Sequence, residues 1–569
     1  MFSKKVEDEN KIMEEEWEKQ YSIMMDKLKA INRSGIELKP SYTPTDIQGM
    51  DYKDIALPGQ YPFTRGNYPF HYQVMPLMMM HGYGFGTAEE TLMRREWLSR
   101  LGSRLKVGTE DDLTVCIFTM DLPTQRGYDP DEPGARGRVG DCGMSLSTIK
   151  DMEAIFEGLP LEKVLTTFIG FDASMILVAL YAAYCKYIRK EPLDKLYMLC
   201  CNLFHHQWFW DSAAFPPETA MKLETEFVKF IVETCPMSYP GVVDGYNVAE
   251  AGATPVQEAA FSIVAAVSLM EECVKAGLDP DKVASRFIGH PHISLNFFEE
   301  IAKLRAMRKV WAKILKERFG CKRPESLQLK FLDAQTAGFD LTAQEPLNNI
   351  IRTTIMALAG MLADVEGMWV SSYDEALGIP TEEAVQVAVR TYQILHEETD
   401  IPHVTDPLGG SYYIEWLTTR MEEEIMGLMK KMEDLGGYMK CWQTGWIRQQ
   451  VEKSANERLK KLNEGKEAKI GVNKYRIEEV PKMTAFRVPP EVELKAIERV
   501  KKYRQGRDNS RVESALAKVK EAAIAIDRDW PRSCGVLMPA LIEAARCEAT
   551  AGEMHRILRD IFGFGYYSG

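Results

Sequence analysis

Between about residue 70 and residue 420, short apolar runs alternate with amphipathic stretches of helical spacing, and this alternation limits the available folds most. Eight runs read as strands, at 113–120, 164–170, 196–203, 240–247, 286–293, 327–332, 363–370 and 401–405. Helical periodicity fills the intervals, for example at 174–188, 216–235, 255–276 and 296–319. Eight strand–helix units predict a parallel α/β fold closed as a (β/α)8 TIM barrel. A doubly wound sheet is the alternative, but no G-x-G-x-x-G opens a suitable helix, and Gly82-Tyr-Gly84-Phe-Gly86 misses that spacing.

The barrel is expected at 61–420, preceded by an N-terminal arm at 1–60 and followed by a helical region at 421–569. Within the arm, residues 4–32 carry a helical stripe through Ile12, Trp17, Met24, Met25 and Leu28, and proline and turn residues then run to Pro62. An extended arm of this kind lies on its own domain or on a partner subunit. After Tyr413 helical periodicity dominates, with a charged connector at 463–482 and helices expected at 490–504, 510–527 and 536–562. There is no repeat of solenoid length.

A net charge of -13 argues against a general nucleic-acid or anionic-membrane partner. The eleven cysteines show no zinc-like spacing, and Cys200-Cys201 is adjacent rather than C-x-x-C, so reduced thiols and a cytoplasmic setting are expected. Residues 1–19 are too charged for a secretory signal, and there is no run of about 18 apolar residues to suggest a membrane span.

Function in such a barrel sits at the C-terminal ends of the strands. Polar residues cluster there: Asp121, Thr124, Gln125 and Arg126; Cys200 and Asn202; Tyr246, Asn247 and Glu250; Asp333 and Gln335; and Glu375. They are amides, hydroxyls and isolated carboxylates. They form no nucleophile–histidine–acid set and no close carboxylate pair, so they suit orienting a cofactor that supplies the chemistry. His290-Pro-His292 and His205-His206 permit chelation or polar packing, and no metal site is expected from them without a third ligand. Met75, Met78, Met79 and Met80 are either core filling or a flexible apolar wall.

Several longer motifs occur together: Tyr61-Pro-Phe-Thr-Arg-Gly66, Phe85-Gly-Thr-Ala-Glu-Glu90, Asp121-Leu-Pro-Thr-Gln-Arg-Gly-Tyr128, Glu250-Ala-Gly-Ala-Thr254 and Ile301-Ala-Lys-Leu-Arg305. Asp333-Ala-Gln335-Thr-Ala-Gly338, Asn348-Asn349 with Arg352, Asp374-Glu375 and Asp406-Pro-Leu-Gly409-Gly410-Ser-Tyr412-Tyr413 continue the series. In order and spacing, from about Tyr61 to Leu417, they resemble the methylmalonyl-CoA mutase family of adenosylcobalamin-dependent acyl-CoA mutases. The resemblance implies a barrel whose axial channel takes the thioester, with the cofactor over its C-terminal end. It also implies a radical 1,2-shift. The family's cobalt-ligating D-x-H-x-x-G is absent, so the chain looks like a large subunit. A small cobalamin-binding subunit is expected to bring the cobalt ligand, and two large subunits are expected to pair within a heterotetramer.

By the same resemblance Glu250, Gln335, Gly338, Ser371 and Glu375 face the cofactor, with Ser371 replacing a common asparagine. Tyr246 is the aromatic floor under the substrate, and Arg286 keeps an arginine near the CoA moiety. The departures concern the substrate. Gly82 stands for a tyrosine beside the reacting carbon, Trp210 for a carboxylate-pairing arginine and Asn247 for a histidine. Cys200 stands for a glutamine, and Met75 and Met80 for two channel arginines. Loss of the arginine clamp and gain of a tryptophan imply an atypical, bulky or apolar acyl-CoA. In that reading Tyr246 and Asn247 position the migrating group. A mutase on a substrate other than a CoA ester, or a non-catalytic barrel, are the alternatives.

Overall fold

The computed structural model describes residues 4–25, 30–82, 84–102, 104–107, 111–200, 215–477 and 488–565. In chain order the strands are β1 (Ala30–Ile31), β2 (Glu37–Leu38), β3 (Met78–Met79), β4 (Arg104–Val107), β5 (Asp111–Thr119) and β6 (Val164–Ile169). There follow β7 (Tyr197–Cys200), β8 (Gly241–Asp244), β9 (Phe287–His290), β10 (His292–Ile293), β11 (Ala334–Thr336) and β12 (Gly367–Trp369). One four-stranded parallel sheet runs β3–β12–β11–β10, and a second runs β4–β5–β6–β7 with β4 antiparallel at its edge. β8 pairs with β9 in parallel, and β1 with β2 in an antiparallel hairpin.

The fold is mixed α/β with parallel ladders. Among the described residues those ladders do not make one continuous closed barrel. Isolated parallel bridges lie between the sheets, Gly82 to Ile117, Leu199 to Tyr239 and Ile288 to Lys330.

Two strand expectations are corrected. Residues 401–405 hold a 3-10 turn, Ile401–His403, where Pro402 supplies no N–H for a ladder. The strand expected at 327–332 lies further on, at β11, behind the short helix Pro324–Leu327. Four strands, β1 to β4, are additional, and β3 comes from the methionine cluster. A strand buried on both faces reads as a continuous apolar run rather than an alternating one, and methionine carries little strand signal. Pro291 breaks the expected run at 286–293 into β9 and β10.

Period-two alternation divides the strand residues between two cores. Cys116, Phe118, Phe168, Met198 and Val243 pack outward into the large core shared with the helices. Val115, Ile117, Leu165, Leu199, Val242 and Ile288, with Met78 and Met80, form a separate apolar cluster on the opposite face. Long helices cover the outside, among them Pro255–Lys275, Phe297–Arg318 and Tyr412–Asp434. The first starts on a capping box, with Thr254 and Gln257 exchanging bonds and Pro255 in the first turn. One segment, Phe171–Arg189, has the length and apolarity to cross a membrane, and most of it is buried inside the fold.

The arm helix Lys4–Met25 leads to the hairpin, and the arm packs on its own chain. Tyr42 rests on Tyr413 and Trp416 at 4.8 Å, and Ser34 N–H donates to Glu299 at 2.9 Å. At the other end, helices Glu491–Gly506 and Ala551–Phe562 are tied to the loop after β5 through Asp129. This buried carboxylate accepts from Thr550 Oγ1 and Gly552 N and pairs with Arg504.

Candidate functional site

β8 ends at Asp244, and Gly245 turns the chain directly into the short helix Tyr246–Glu250. A β-carbon at Gly245 would meet Glu258 Cγ at 2.6 Å, so only glycine allows this sharp entry. Asp244 organises the turn. It accepts from Tyr246 N at 3.2 Å and Asn247 Nδ2 at 2.9 Å, and it pairs with His290 Nδ1 at 3.0 Å.

The Tyr246 ring stacks on His290 at 5.2 Å and 18°, and touches His292 at 5.7 Å. Burial and the Glu250 and Glu375 carboxylates hold its phenol well above the usual range, hence protonated. His290 Nε2 points at Gln335 Oε1, 3.4 Å away, with Asp333 Oδ2 at 4.0 Å. Burial disfavours a charged imidazole, but Asp333 and Asp244 outweigh it and raise His290 to about 9. This ring is therefore cationic at neutral pH. Its neighbour His292 bonds Glu250 Oε1 through Nε2 at 3.1 Å and stacks on Phe339.

Glu250 is fixed from three sides, since Gly338 N and Phe339 N also donate to it at 2.7 and 2.9 Å. A β-carbon at Gly338 would stand 3.3 Å from a carboxylate oxygen of both Glu250 and Glu375, and 3.6 Å from the Tyr246 hydroxyl. Gly338 is thus the bare floor of a cradle walled by two carboxylates and a phenol. Burial lifts Glu375 to about 7, with Glu250 and Asp374 adding to the rise and a bond from Ser371 opposing it. Ser371 is held in turn by Thr336, through its N–H at 2.8 Å and its hydroxyl at 3.2 Å.

The structure therefore brings Tyr246, Asn247, Glu250, Gln335, Gly338, Ser371 and Glu375 together, and it adds His290 and Asp244. His290 was visible as part of His290-Pro-His292, but its contact with Tyr246 depends on the pairing of β8 with β9. Among the described residues no group of three or more His, Cys, Asp or Glu side chains is placed to hold a metal.

The proposed substrate residues are more dispersed. Gly82 lies beside β5, where a β-carbon would meet Trp369 Cη2 at 2.4 Å and Thr119 Oγ1 at 2.7 Å. The space that glycine leaves is filled by the Trp369 ring. The Cys200 side chain lies in the helix-side core, and the neighbouring Leu199 faces the other way. Met80 is fully buried in the second cluster, whereas Met75 ends the short helix His71–Val74, half-buried. The guanidinium of Arg286 lies over the Tyr239 ring at 5.6 Å. Trp210, Asn202, His205 and His206 lie outside the described residues.

Several motif residues support the site without lining it. Asn349 Nδ2 donates to the carbonyls of Thr342 and Tyr373, both at 2.8 Å, joining the loops after β11 and β12. Arg352 adds bonds to Thr342 Oγ1 and Asn349 Oδ1. Asp121 accepts from Thr124 N and Gly140 N, capping its own turn.

A family model described as Methylmalonyl-CoA mutase matches residues 31–564. The chain is 34% identical over 525 residues to the 2-hydroxyisobutanoyl-CoA mutase large subunit of Aquincola tertiaricarbonis, covering 92% of this chain and 90% of that protein. It is 33% identical over 531 residues to the mitochondrial methylmalonyl-CoA mutase of Homo sapiens, covering 93% of this chain and 68% of that protein. The methylmalonyl-CoA mutase of Rhizobium meliloti is 31% identical over 533 residues, covering 93% of this chain and 72% of that protein.

Proposed function

The chain belongs to the methylmalonyl-CoA mutase family and is an isomerase of the mutase class; from that premise we propose that it is the large subunit of an adenosylcobalamin-dependent carbon-skeleton mutase acting on an atypical, apolar acyl thioester. In this reading the eight parallel strands β3, β5, β6, β7, β8, β9 with β10, β11 and β12 close as a barrel. The isolated bridges at Gly82, Leu199 and Ile288 support the closure, because each lies where two ladders would have to join. A small cobalamin-binding subunit covers the C-terminal ends, and two large subunits pair within a cytoplasmic heterotetramer.

The observation that carries the proposal is the cradle at Gly338. Two carboxylates and a protonated phenol surround a position without a side chain. That donor set suits a hydroxyl-bearing adenosyl group, whose ribose can donate to both acids. Glu250, Gln335, Gly338, Ser371 and Glu375 would hold it. When bound, adenosylcobalamin supplies a hydrogen-abstracting radical by cobalt–carbon homolysis.

The chain's own side chains do the positioning. Tyr246, backed by His290, is the floor on which the migrating thioester lies. The charged His290 Nε2–H and the Asn247 amide are the donors to its carbonyl, and His290 thereby replaces the histidine absent at 247. Gly82 and the Trp369 ring shape the acyl side, and Trp210 would set specificity. Closure around them keeps water from the reactive species.

Reconstitution with the small subunit and adenosylcobalamin tests this. Isomerisation of at least one apolar acyl thioester, with a cob(II)alamin signal on substrate addition, is expected. Absence of both across a broad acyl panel would sink the proposal. A second test uses pH. An ionised carboxylate accepts from a ribose hydroxyl more strongly than its protonated form does, so cofactor affinity should rise by up to about tenfold from pH 6 to pH 8 as Glu375 ionises near 7. Equilibrium dialysis of Glu375→Gln should give a flat profile; the same slope in the variant would assign the titration to another group.

A further inference from the structure

The strand ends around Gly82 show which side chain fills the room that this glycine leaves. Gln335 and Trp369 are Cα partners across β11 and β12. Ala334 and Met368, one position earlier, lie in the helix-side core, so Gln335 and Trp369 face inward. On β5, Ile117 belongs to the inner cluster, and Thr119, two residues on, shares its face. Thr119 is the Cα partner of Ile169, which also packs on that cluster. Gly82 bridges to Ile117, and a β-carbon on it would overlap Trp369 Cη2 and stand 2.7 Å from Thr119 Oγ1.

This layer at the strand ends has two unlike halves. On β9 and β11, His290 and Gln335 approach each other at 3.4 Å and supply polar atoms. In the other half, Trp369 and Ile169 present apolar surface, and Gly82 presents no side chain of its own. The Trp369 ring is braced. Its centroid lies 5.9 Å from that of His81, which is buried and itself 5.9 Å from the Tyr392 ring. Burial and the charge of Arg94 lower His81 to about 3, so the brace is a neutral ring.

A rigid indole held across a glycine limits volume in a way that a flexible side chain does not. Resting on the mutase reading above, we infer that Trp369 sets the size of the acyl group, so that the substrate is a compact aliphatic thioester. Its carbonyl lies toward His290 and Gln335, and its alkyl part lies against the indole. Position 82 alone does not determine the fit, because a larger side chain there and the Trp369 ring would claim the same volume. In an apolar pocket one methylene changes discrimination by about ten- to two-hundredfold, so loss of the ring should move the preferred chain length.

Turnover of a graded series of aliphatic acyl-CoA esters, from butanoyl to octanoyl, is compared in the reconstituted parent and Trp369→Ala enzymes. The preferred ester should be longer in the variant, with kcat/KM for the longest esters rising about tenfold or more. An unchanged length profile in a folded variant overturns the inference, because a general loss of structure lowers all esters together. If Trp369→Ala does not fold, Trp369→Leu serves in its place. Calorimetric titration of the large subunit with the same esters reads the length preference without turnover, and the same shift is expected. Denaturant midpoints read the shared volume. Gly82→Ala should lower the midpoint, and adding Trp369→Leu should return most of the loss; shifts that simply add overturn the inference. If no ester turns over but affinity still tracks the residue at 369, the mutase reading fails and the size limit stands. If esters turn over with a length profile indifferent to that residue, the size limit fails and the mutase reading stands. Absence of both turnover and length-dependent affinity overturns both.

Discussion

Replacing His290 by glutamine is expected to lower turnover of the reconstituted enzyme by about a hundredfold, the usual scale for a positioned charged donor. Cofactor affinity should change little, because the ring bonds Asp244 and approaches Gln335 but does not enter the Gly338 cradle. The pH profile separates this role from a structural one. His290 is raised to about 9 by Asp333 and Asp244 against the effect of burial, so the donor form fills the neutral range. Activity dependent on it should fall as pH rises through about 9, and the glutamine variant should lack that limb. Stability has the same sign. The folded histidine holds its proton more strongly than the unfolded one, so its contribution is complete below about 6.5 and is lost through about 9. A His290→Gln enzyme with unchanged kcat, or one that keeps the alkaline limb, would remove His290 from the reaction.

This residue also shows where sequence reasoning stops. The spacing of apolar runs made the alternation of strands and helices legible, because period and length survive in the sequence without tertiary context. Side-chain direction does not survive in that way. Cys200 and Leu199 differ by one position, which on a strand means opposite faces; the structure places Cys200 in the helix-side core and Leu199 in the inner cluster. Asp333 and Gln335 both lie beside His290, yet what Asp333 does, charging a histidine on β9, depends on a neighbouring strand. Methionine hid β3 because it belongs equally well to a helix, a strand or a ligand wall.

The polar motifs divide for the same reason. Glu250 and Glu375 point into the cradle at Gly338, whereas Asp121, Asn349 and Asp406 bond groups of their own fold. All are polar residues near strand ends or in loops, and type alone cannot distinguish a carboxylate that waits for a ligand from one that caps a turn. The stretch from Asp406 to Tyr413 is the clearest instance. It carries a strong motif, follows a segment that is not a strand, and serves as an anchor.

That anchor makes the second large prediction. Arg305, in helix Phe297–Arg318, is buried and pairs with Asp406 Oδ1 at 2.6 Å and Glu415 Oε1 at 2.7 Å. Arg65 holds the second oxygen of Asp406 at 2.8 Å, and Gly410 N donates to Glu415 at 2.8 Å, so one guanidinium joins the segment around Asp406, a central helix and helix Tyr412–Asp434. Arg305→Leu removes the cation that both acids share, leaving buried Glu415 with no cation and Asp406 with Arg65 alone. Breaking such a buried pair costs about 3–5 kcal/mol, far more than the lost contact area. A large fall in denaturant midpoint and faster thermal inactivation are expected, with loss of activity following the loss of fold. The diagnostic comparison is the triple variant Arg305→Leu, Asp406→Asn, Glu415→Gln. If the penalty is the stranded charge, neutralising both acids should return most of the stability, because amides of nearly the same shape can be buried at lower cost. If the triple variant is as unstable as the single one, the three-way packing of the arginine stem rather than its charge holds the helices together.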